Sequence, residues 1–305
     1  MKKALVTGAA GFIGSHLVDE LLIKNYKVTG IDNLSTGQLS NLDLAMKNLN
    51  FKFTKSDICE ETQDLDGPID VIFHAASPAS PPKYFSLPIE TMNVNSIGTK
   101  NMIEIAMKNN ARLIYFSTSE VYGDPLVHPQ SEEYFGNVNP IGPRSIYDES
   151  KRFGEALISQ YVREKKLNAG IIRIFNTYGP RLDPFDGRVI STFLRQAENN
   201  EALTINGSGE QTRSFCYVTD LVNGILKMSE VNIMGPINLG NPFEISLNNL
   251  VKVFEKILDK KLNTTYLPGL EDDPIRRKPD ISKAENFLNW TPIISLEEGL
   301  RACLS

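Results

Sequence analysis

A glycine-rich segment near the amino terminus constrains the fold of this chain more than any other feature. Residues 7–14 read TGAAGFIG, after a short apolar run at residues 4–6 and before apolar residues at helical spacing between positions 17 and 22. A strand, a glycine turn and a helix in this order are typical of the first unit of a dinucleotide-binding fold. The glycine spacing is GxxGxxG rather than GxGxxG, so the match to the general motif is imperfect.

The glycines of this turn have separate physical uses in such a unit. Gly8 permits the tight turn, Gly11 lets the backbone approach a pyrophosphate, and Gly14 lets the helix pack on its strand. A helical run follows the turn, and unpaired N–H groups and the positive end of the helix dipole at its N-terminus favour phosphates. Phe12 and Ile13, the other residues at this end of the turn, belong to the same predicted site. We therefore expect these five residues to bind the phosphates of a dinucleotide.

Acidic residues follow the next two predicted strands. Asp32 stands at the end of the strand at residues 27–31, where a carboxylate can accept hydrogen bonds from the adenosine ribose. Asn33 follows it, rather than an arginine, which favours NAD over NADP. Asp57, beside Ile58, could face the adenine, although a solvated loop acid would give the same pattern.

Strand and helix patterns alternate through the first 175 residues. Apolar strand-like runs recur at residues 51–53, 71–74, 113–116 and 171–174, and helical patterns cover roughly residues 88–108 and 147–166. This alternation predicts an α/β fold with a doubly wound parallel sheet. Ligands in such sheets bind beyond the carboxyl ends of the strands, so we expect Ala75, Thr118 and Asn176 to lie on one rim.

A tyrosine and a lysine at helical spacing suggest acid–base chemistry on that rim. Tyr147 and Lys151 are four residues apart, so they point the same way from their helix. A phenol is a poor base because its ordinary pKa is about 10, and we expect the nearby ammonium to favour the phenolate. Such a pair is suited to hydride transfer beside a nicotinamide. Taken alone it is a weak signal, since it is more often a solvated pair, and the glycine turn is what strengthens it.

The regular alternation of strand and helix patterns ends after residue 175. Turn-forming residues become frequent, and arginines follow near them: Arg181, Arg188, Arg213, Arg276 and Arg277. Some of these arginines could clamp a diphosphate or a carboxylate, and surface ion pairs explain others. We predict a dinucleotide-binding domain at residues 1–175 plus about 212–239. Residues of about 176–211 plus 240–305 would form a smaller C-terminal substrate lobe.

Composition excludes several other classes. The net charge of −5 over 305 residues gives no support for a nucleic-acid partner. The three cysteines and three histidines are scattered, so no metal site is expected and a reducing compartment is favoured. No targeting segment or apolar run long enough for a membrane span is visible, which makes the cytoplasm the default location.

Longer motifs connect these features to one family. The turn at residues 7–14 and the Tyr147-x-x-x-Lys151 pair resemble the extended short-chain dehydrogenases. Within that superfamily the chain resembles the UDP-glucuronate decarboxylases over nearly its full length. The stretches that carry the resemblance are residues 78–82, 117–125, 136–144, 175–181, 211–215 and 272–280.

The resemblance implies a role for each matching residue. Tyr147 would be the base on the sugar 4-hydroxyl, with Lys151 as its electrostatic partner and a ribose ligand. Thr118 supplies the family's hydroxyl, Glu120 assists proton movement around decarboxylation, and Arg277 reaches the glucuronate end of the substrate. The remaining implied contacts are Ala75 for NAD, and Pro81, Tyr84, Glu120, Asn176, Arg181, Arg188, Arg213 and Arg277 for the UDP-sugar.

The implied reaction is decarboxylation of UDP-glucuronate to UDP-xylose. Oxidation at the sugar 4-position gives a ketone that is β to the carboxylate, carbon dioxide leaves, and the same NADH reduces the ketone. Extended members are commonly dimers, so a homodimer is expected. Lys83 and Ile146 depart from the family, which often has histidine and cysteine there; Lys83 leaves the detail of the sugar contacts open.

Four alternatives remain at this level. A decarboxylase that releases the 4-ketopentose and NADH is only weakly distinguished by sequence. Sugar-nucleotide dehydratases usually carry an Asp-Glu pair where this chain has Ser119 and Glu120, and epimerases usually lack the glutamate. A non-catalytic NAD-binding regulator would lose the tyrosine or the lysine, and both are present.

Overall fold

A seven-stranded parallel sheet forms the centre of the molecule and confirms the predicted α/β class. The computed structural model describes residues 1–60, 67–269 and 276–304. The strands in chain order are β1 (Lys3–Thr7), β2 (Lys27–Asp32), β3 (Phe51–Lys55), β4 (Val71–His74), β5 (Arg112–Thr118), β6 (Ala169–Ile174), β7 (Thr177–Tyr178), β8 (Leu203–Asn206), β9 (Thr212–Ser214), β10 (Cys216–Tyr217), β11 (Ile237–Leu239), β12 (Glu244–Ser246), β13 (Thr264–Leu267) and β14 (Arg276–Arg277). The central sheet has the order β11-β6-β5-β4-β1-β2-β3.

Helices cover both faces of this sheet, as its apolar strands require. They are α1 (Phe12–Ile23), α2 (Pro81–Ser86), α3 (Pro88–Asn93), α4 (Thr99–Asn109), α5 (Ser145–Lys165), α6 (Val189–Glu198), α7 (Val218–Glu230), α8 (Leu247–Leu258), α9 (Ser282–Leu288) and α10 (Leu296–Leu304). The helix predicted at residues 88–108 consists of α3 and α4 joined by a π-helical turn, Val94–Gly98. The helix predicted at residues 147–166 begins two residues earlier, at Ser145.

Two apolar layers hold the helices to the sheet. One face packs Leu17 of α1 and Leu221 of α7 against the strands. The other face packs Met102 of α4 and Ile158 of α5 against Leu113 and its neighbours. Since all four residues of β4 are buried, the middle of the sheet is closed to water on both sides. A ligand must therefore bind at a strand end.

Smaller sheets and a third apolar cluster lie mostly beyond residue 175. β7 pairs with β10, β8 with β13, and β9 lies between β12 and β14. Phe193 of α6 and Phe254 of α8 meet edge to face in the third cluster. The chain returns to the central sheet at β11, beside β6. The division into two lobes at the predicted boundaries stays a prediction.

None of the helices in the described ranges combines the length and apolar character that crossing a bilayer requires.

Candidate active site

A cavity of about 610 Å³ opens at the carboxyl ends of the central strands. Gly8 follows β1, Ala75 follows β4, Thr118 ends β5 and Asn176 follows β6, and all four line this cavity. The rim predicted from the strand pattern is therefore present. Thr118 was expected just after its strand, and it is instead the last residue of β5.

Most of the predicted site residues meet in this cavity, although they are spread over 270 positions of the chain. Its lining includes Gly8, Gly11, Phe12, Ile13, Gly14, Ala75, Pro81, Tyr84, Thr118, Glu120, Tyr147, Lys151, Asn176, Arg181, Arg188, Arg213 and Arg277. Four predicted cofactor residues are not part of this lining: Asp32, Asn33, Asp57 and Ile58.

The glycine turn leaves no room for a Cβ at Gly8 or at Gly14. Gly8 has a φ of +69°, and a Cβ there would come within 2.8 Å of the backbone of Ala76. A Cβ on Gly14 would come within 2.0 Å of the Gly8 carbonyl oxygen. Backbone is therefore exposed to the cavity where α1 begins at Phe12. This geometry fits a pyrophosphate at the amino end of a helix.

Asp32 and its neighbours lie at the ends of β2 and β3. The two Asp32 carboxylate oxygens accept hydrogen bonds from the backbone N–H groups of Ala10 (3.0 Å) and Leu34 (2.8 Å). Asn33 donates its side-chain amide to Asp57 at 2.9 Å. Asp32 thereby ties the end of β2 to the glycine turn. Its predicted bond to the ribose stays a prediction, as do the adenosine contacts of the other three residues.

Tyr147 and Lys151 are buried on the cavity wall. Tyr147 lies in the first turn of α5 and stacks on Tyr84, with ring centroids 5.3 Å apart and an interplanar angle of 5°. The Lys151 ammonium is 5.8 Å from the Tyr147 ring centroid and donates to the Phe116 carbonyl oxygen at 2.8 Å. The two residues therefore share one face, as their spacing predicted.

The expectation that Lys151 would favour the phenolate is wrong for the chain by itself. Burial raises the pKa of Tyr147 well above its ordinary value, and the opposing effects of Arg188 and a hydrogen bond with Thr118 are smaller. Burial also lowers the pKa of Lys151 to about 7, so its charge is easily lost. The spacing of two residues on a helix predicts that their side chains point the same way, but it does not predict how far folding removes them from water. The phenol is accordingly protonated at neutral pH.

Glu120 lies between two arginines. It follows β5 in a short 3₁₀ turn, and its N–H donates to the Thr118 hydroxyl at 3.2 Å. Arg144 and Arg277 each donate to a different oxygen of its carboxylate. Burial alone would raise the pKa of Glu120, but Arg277 and then Arg144 outweigh it and lower the pKa to about 2. Glu120 is therefore ionised at neutral pH.

Arg277 is suited to hold a second anion besides Glu120. It is 5% exposed, and its Nη2 donates to the Gly123 carbonyl oxygen at 3.1 Å. Its Nε is buried without a hydrogen-bond partner among the described residues. The neighbouring Arg276 is exposed. Residues 272–274, which contributed to the family resemblance, lie outside the described residues.

The other predicted arginines approach the cavity from different sides. Arg188 donates to the Ala79 carbonyl oxygen at 2.8 Å, and Arg213 donates to the carbonyl oxygen of Thr212 at 2.9 Å. Arg181 forms an ion pair of 2.6 Å with Asp19 of α1, which places it beside the glycine turn. Its predicted substrate contact stays a prediction.

Sequence reasoning missed Arg144 as a site residue. It lies in the stretch at residues 136–144 that carried the resemblance, yet no local pattern marks it as a partner of Glu120. Lys83 also lines the cavity, where it forms an ion pair of 3.2 Å with Asp183. Lys83 stands at a motif position where the family often has histidine, and this departure was a signal that it lies near the substrate-side residues.

Comparisons with known proteins identify a matching family and similar chains. The model of the NAD dependent epimerase/dehydratase family matches residues 4–240. UDP-glucuronic acid decarboxylase 1 of Xenopus tropicalis is 48% identical over 299 residues, which are 98% of this chain and 70% of that relative. UDP-glucuronic acid decarboxylase 2 of Arabidopsis thaliana is 48% identical over 298 residues, 98% of this chain and 66% of that relative.

A solved structure with related ligands has the same fold. UDP-glucuronic acid 4-epimerase from Bacillus cereus, in complex with UDP-glucuronic acid and NAD, superimposes with a TM-score of 0.87 at 32% identity. The match covers 99% of this chain and 98% of that chain.

Proposed function

The chain belongs to the NAD dependent epimerase/dehydratase family, and from this premise we propose that it converts UDP-glucuronate to UDP-xylose and carbon dioxide. The proposal agrees with the family resemblance of its motifs and with the decarboxylase names of relatives at 48% identity. NAD, the cofactor named by the family, fits the glycine turn, where Gly8 and Gly14 leave no room for a Cβ, and the helix end beside it.

One observation carries the choice of a decarboxylase. Glu120 is held as a carboxylate by Arg144 and Arg277 at the same cavity wall as Thr118 and Tyr147. Arg277 supplies a buried guanidinium for a substrate carboxylate, and guanidinium–carboxylate pairs are strong and directional. A carboxylate beside a developing ketone is what a β-keto acid decarboxylase must recognise.

The chain's own residues would divide the work as follows. Residues of the glycine turn and Lys151 hold the cofactor, which when bound accepts a hydride from the sugar 4-position and later returns it. Tyr147 takes the proton of the 4-hydroxyl and gives it back to the ketone oxygen, with Thr118 as its hydrogen-bond partner. A bound nicotinamide cation would favour the phenolate, which burial alone disfavours.

The UDP-sugar would be held by arginine side chains around the cavity. Arg277 would orient the glucuronate carboxylate, and Arg188 and Arg213, which line the same cavity, would contact the diphosphate. Once the sugar is oxidised, the carboxylate can leave because its bonding electrons delocalise onto the ketone oxygen. Tyr147 stabilises that oxygen in both directions, since a catalyst that lowers one barrier lowers the reverse barrier. The proton that Tyr147 removes would thereby be returned within one turnover, with no net oxidation of the sugar.

An epimerase is the second candidate, because the Bacillus cereus neighbour has an epimerase name and a UDP-glucuronic acid ligand. A decarboxylase that releases the 4-ketopentose is a variant of the first. Mass spectrometry of products from UDP-glucuronate and catalytic NAD⁺ separates the three. We expect UDP-xylose, carbon dioxide and little net NADH absorbance. Stoichiometric NADH with a 4-ketopentose would indicate the releasing enzyme. UDP-galacturonate without carbon dioxide would indicate the epimerase.

We also propose that the enzyme is a homodimer. Exposed apolar side chains, among them Ile89, Met92 and Phe153, project from α3 and α5, two helices that pack against each other. Apolar groups concentrated in this way mark association surfaces. Light scattering should give twice the chain mass, and Met92→Lys should shift the mass toward the monomer. A monomeric parent protein would contradict this assembly.

A further inference from the structure

A second, polar cavity of about 270 Å³ lies behind Glu120. Glu120, Arg144 and Arg277 line both this cavity and the main one, so they form the wall between the two. Asp124, Asn137 and Asn139 line the second cavity and are exposed, which connects it to solvent. The cavity is therefore large and polar enough to hold several waters in contact with the catalytic wall.

Asp148 is an acid in this second cavity that the proposed mechanism has not used. Its side chain is 4% exposed, and its Oδ1 has no hydrogen-bond partner among the described residues. Its Oδ2 lies 3.9 Å from Arg144 Nε. A buried carboxyl oxygen without a partner costs free energy, unless it is protonated or bonded to water. The geometry points to a protonated side chain that contacts water in the cavity.

Charges around Asp148 support this protonation state. Burial, and then the negative charge of Glu120, raise the pKa of Asp148 to about 7 against the smaller opposing effects of Arg144 and Arg277. Glu149 on the same helix acts in the same direction as Glu120. Tyr84 of α2 also lies within electrostatic reach of Asp148, and burial keeps that phenol neutral. With a pKa near 7, Asp148 carries a proton in about half of the molecules at neutral pH, whereas Glu120 is ionised.

The proposed decarboxylation, on which this inference rests, consumes one proton. The bond between C5 and the carboxylate breaks, carbon dioxide leaves, and the electron pair passes to C5 and the ketone oxygen. A new C5–H bond must then form. Tyr147 cannot supply this proton, because it returns its own to the ketone oxygen. Oxidation and reduction at C4 cancel, so the remaining requirement is a proton from solvent.

We propose that Asp148 delivers this proton to Glu120 through water in the second cavity, and that Glu120 passes it to C5. Asp148 is then reprotonated from solvent at the exposed side of the cavity. A substrate carboxylate that engages Arg277 weakens the hold of this arginine on Glu120. The pKa of Glu120 therefore rises toward that of Asp148 when the substrate binds. Asp148 acts through Glu120 and touches neither the sugar nor NAD.

Asp148→Asn tests this role, because it keeps the shape of the side chain and removes its ionisation. Glu149→Gln is the matched control, since it removes the adjacent charge from the same helix without changing either cavity lining. Turnover is measured against pH, and UDP-xylose made in D₂O is analysed by NMR at C5. The parent enzyme should lose kcat as pH rises through about 7, because Asp148 must be protonated to act.

For Asp148→Asn we expect kcat to fall by a factor of about 10² or more at pH 7, as for other acid–base groups. The alkaline loss of activity should disappear. The single deuterium added at C5 should be divided between the two positions, because bulk water would then compete with Glu120 in protonating C5. Glu149→Gln should retain most of the parent kcat, with the alkaline limb shifted slightly to lower pH because this charge no longer raises the pKa of Asp148. Asp148→Glu should restore the single position of deuterium. A melting curve for each variant separates misfolding from slow proton delivery.

Three outcomes would overturn the inference. They are an Asp148→Asn kcat within threefold of the parent, an unchanged alkaline limb, or an unchanged deuterium pattern. If Asp148→Asn does not fold, Asp148→Glu decides alone, because its longer acid should shift the alkaline limb, and an unshifted limb excludes Asp148. A parent enzyme that releases no carbon dioxide would instead refute the proposed function. The two failures are therefore distinguishable.

Discussion

Tyr147→Phe should separate the catalytic role of the phenol from its structural role. The substitution keeps a ring that stacks on Tyr84 at 5.3 Å, and it removes one oxygen. The lost interaction is the hydrogen bond with Thr118. A hydrogen bond of this kind contributes about 0.5–1.5 kcal/mol to the free energy of unfolding. In a chain of 305 residues that corresponds to a melting temperature lower by only about 1–2 °C.

The effect on the reaction should be much larger. A general acid–base group is worth about 10²–10⁴ in rate, which is about 2.7–5.5 kcal/mol of activation free energy. This exceeds the expected loss of stability several-fold, so the two roles give different signatures. The assay is carbon dioxide release from UDP-glucuronate, with NAD and UDP affinities measured by titration calorimetry and stability by thermal melting.

A matched control is Tyr178→Phe. Tyr178 is also buried, and its hydroxyl donates to the Leu296 carbonyl oxygen at 3.3 Å, away from the cavity lining. We expect it to melt slightly earlier and to retain activity. Turnover of Tyr147→Phe within a factor of a few of the parent, with intact ligand binding, would refute the assignment of Tyr147 as the acid–base group.

The other predictions concern the cofactor and the substrate. Asp32→Ala should weaken NAD binding, and because it leaves the N–H groups of Ala10 and Leu34 without their acceptor, it should also cost about 1–3 kcal/mol of stability. Unchanged NAD affinity in a calorimetric titration would show that Asp32 shapes the turn without contacting the ribose. Arg277→Ala should reduce the affinity for UDP-glucuronate more than the affinity for UDP, because it removes the guanidinium proposed for the carboxylate. Equal losses for both ligands would assign Arg277 to the diphosphate.

Features that depend only on residues close together in the sequence could be predicted. The order of strands and helices follows from apolar periodicity, and the shared direction of Tyr147 and Lys151 follows from helical geometry. The glycine turn requires small residues at fixed positions, and a Cβ on Gly14 would indeed meet the Gly8 carbonyl oxygen. Each of these signals depends on residues within one helix or one turn.

Features that depend on distant contacts were not predictable in the same way. Glu120 meets Arg144 across 24 positions and Arg277 across 157, and no spacing rule connects them. The pKa of Tyr147 depends on how completely the folded chain removes it from water, which spacing with Lys151 does not encode. The small sheets formed by β7 to β10 and β12 to β14 have strands of two to four residues, too short to give a clear apolar period.

The position of β11 has a consequence for how the chain emerges from the ribosome. β11 covers the outer edge of β6, but it is synthesised about 60 residues after that strand. At ordinary translation speeds of about 5–20 residues per second, an apolar strand edge would wait roughly 3–12 seconds for its partner. Unpaired strand edges recruit other chains. The edge of β6 therefore has to be shielded until β11 is synthesised. A chaperone could shield it, or late packing of the preceding helices could keep the sheet from forming too early.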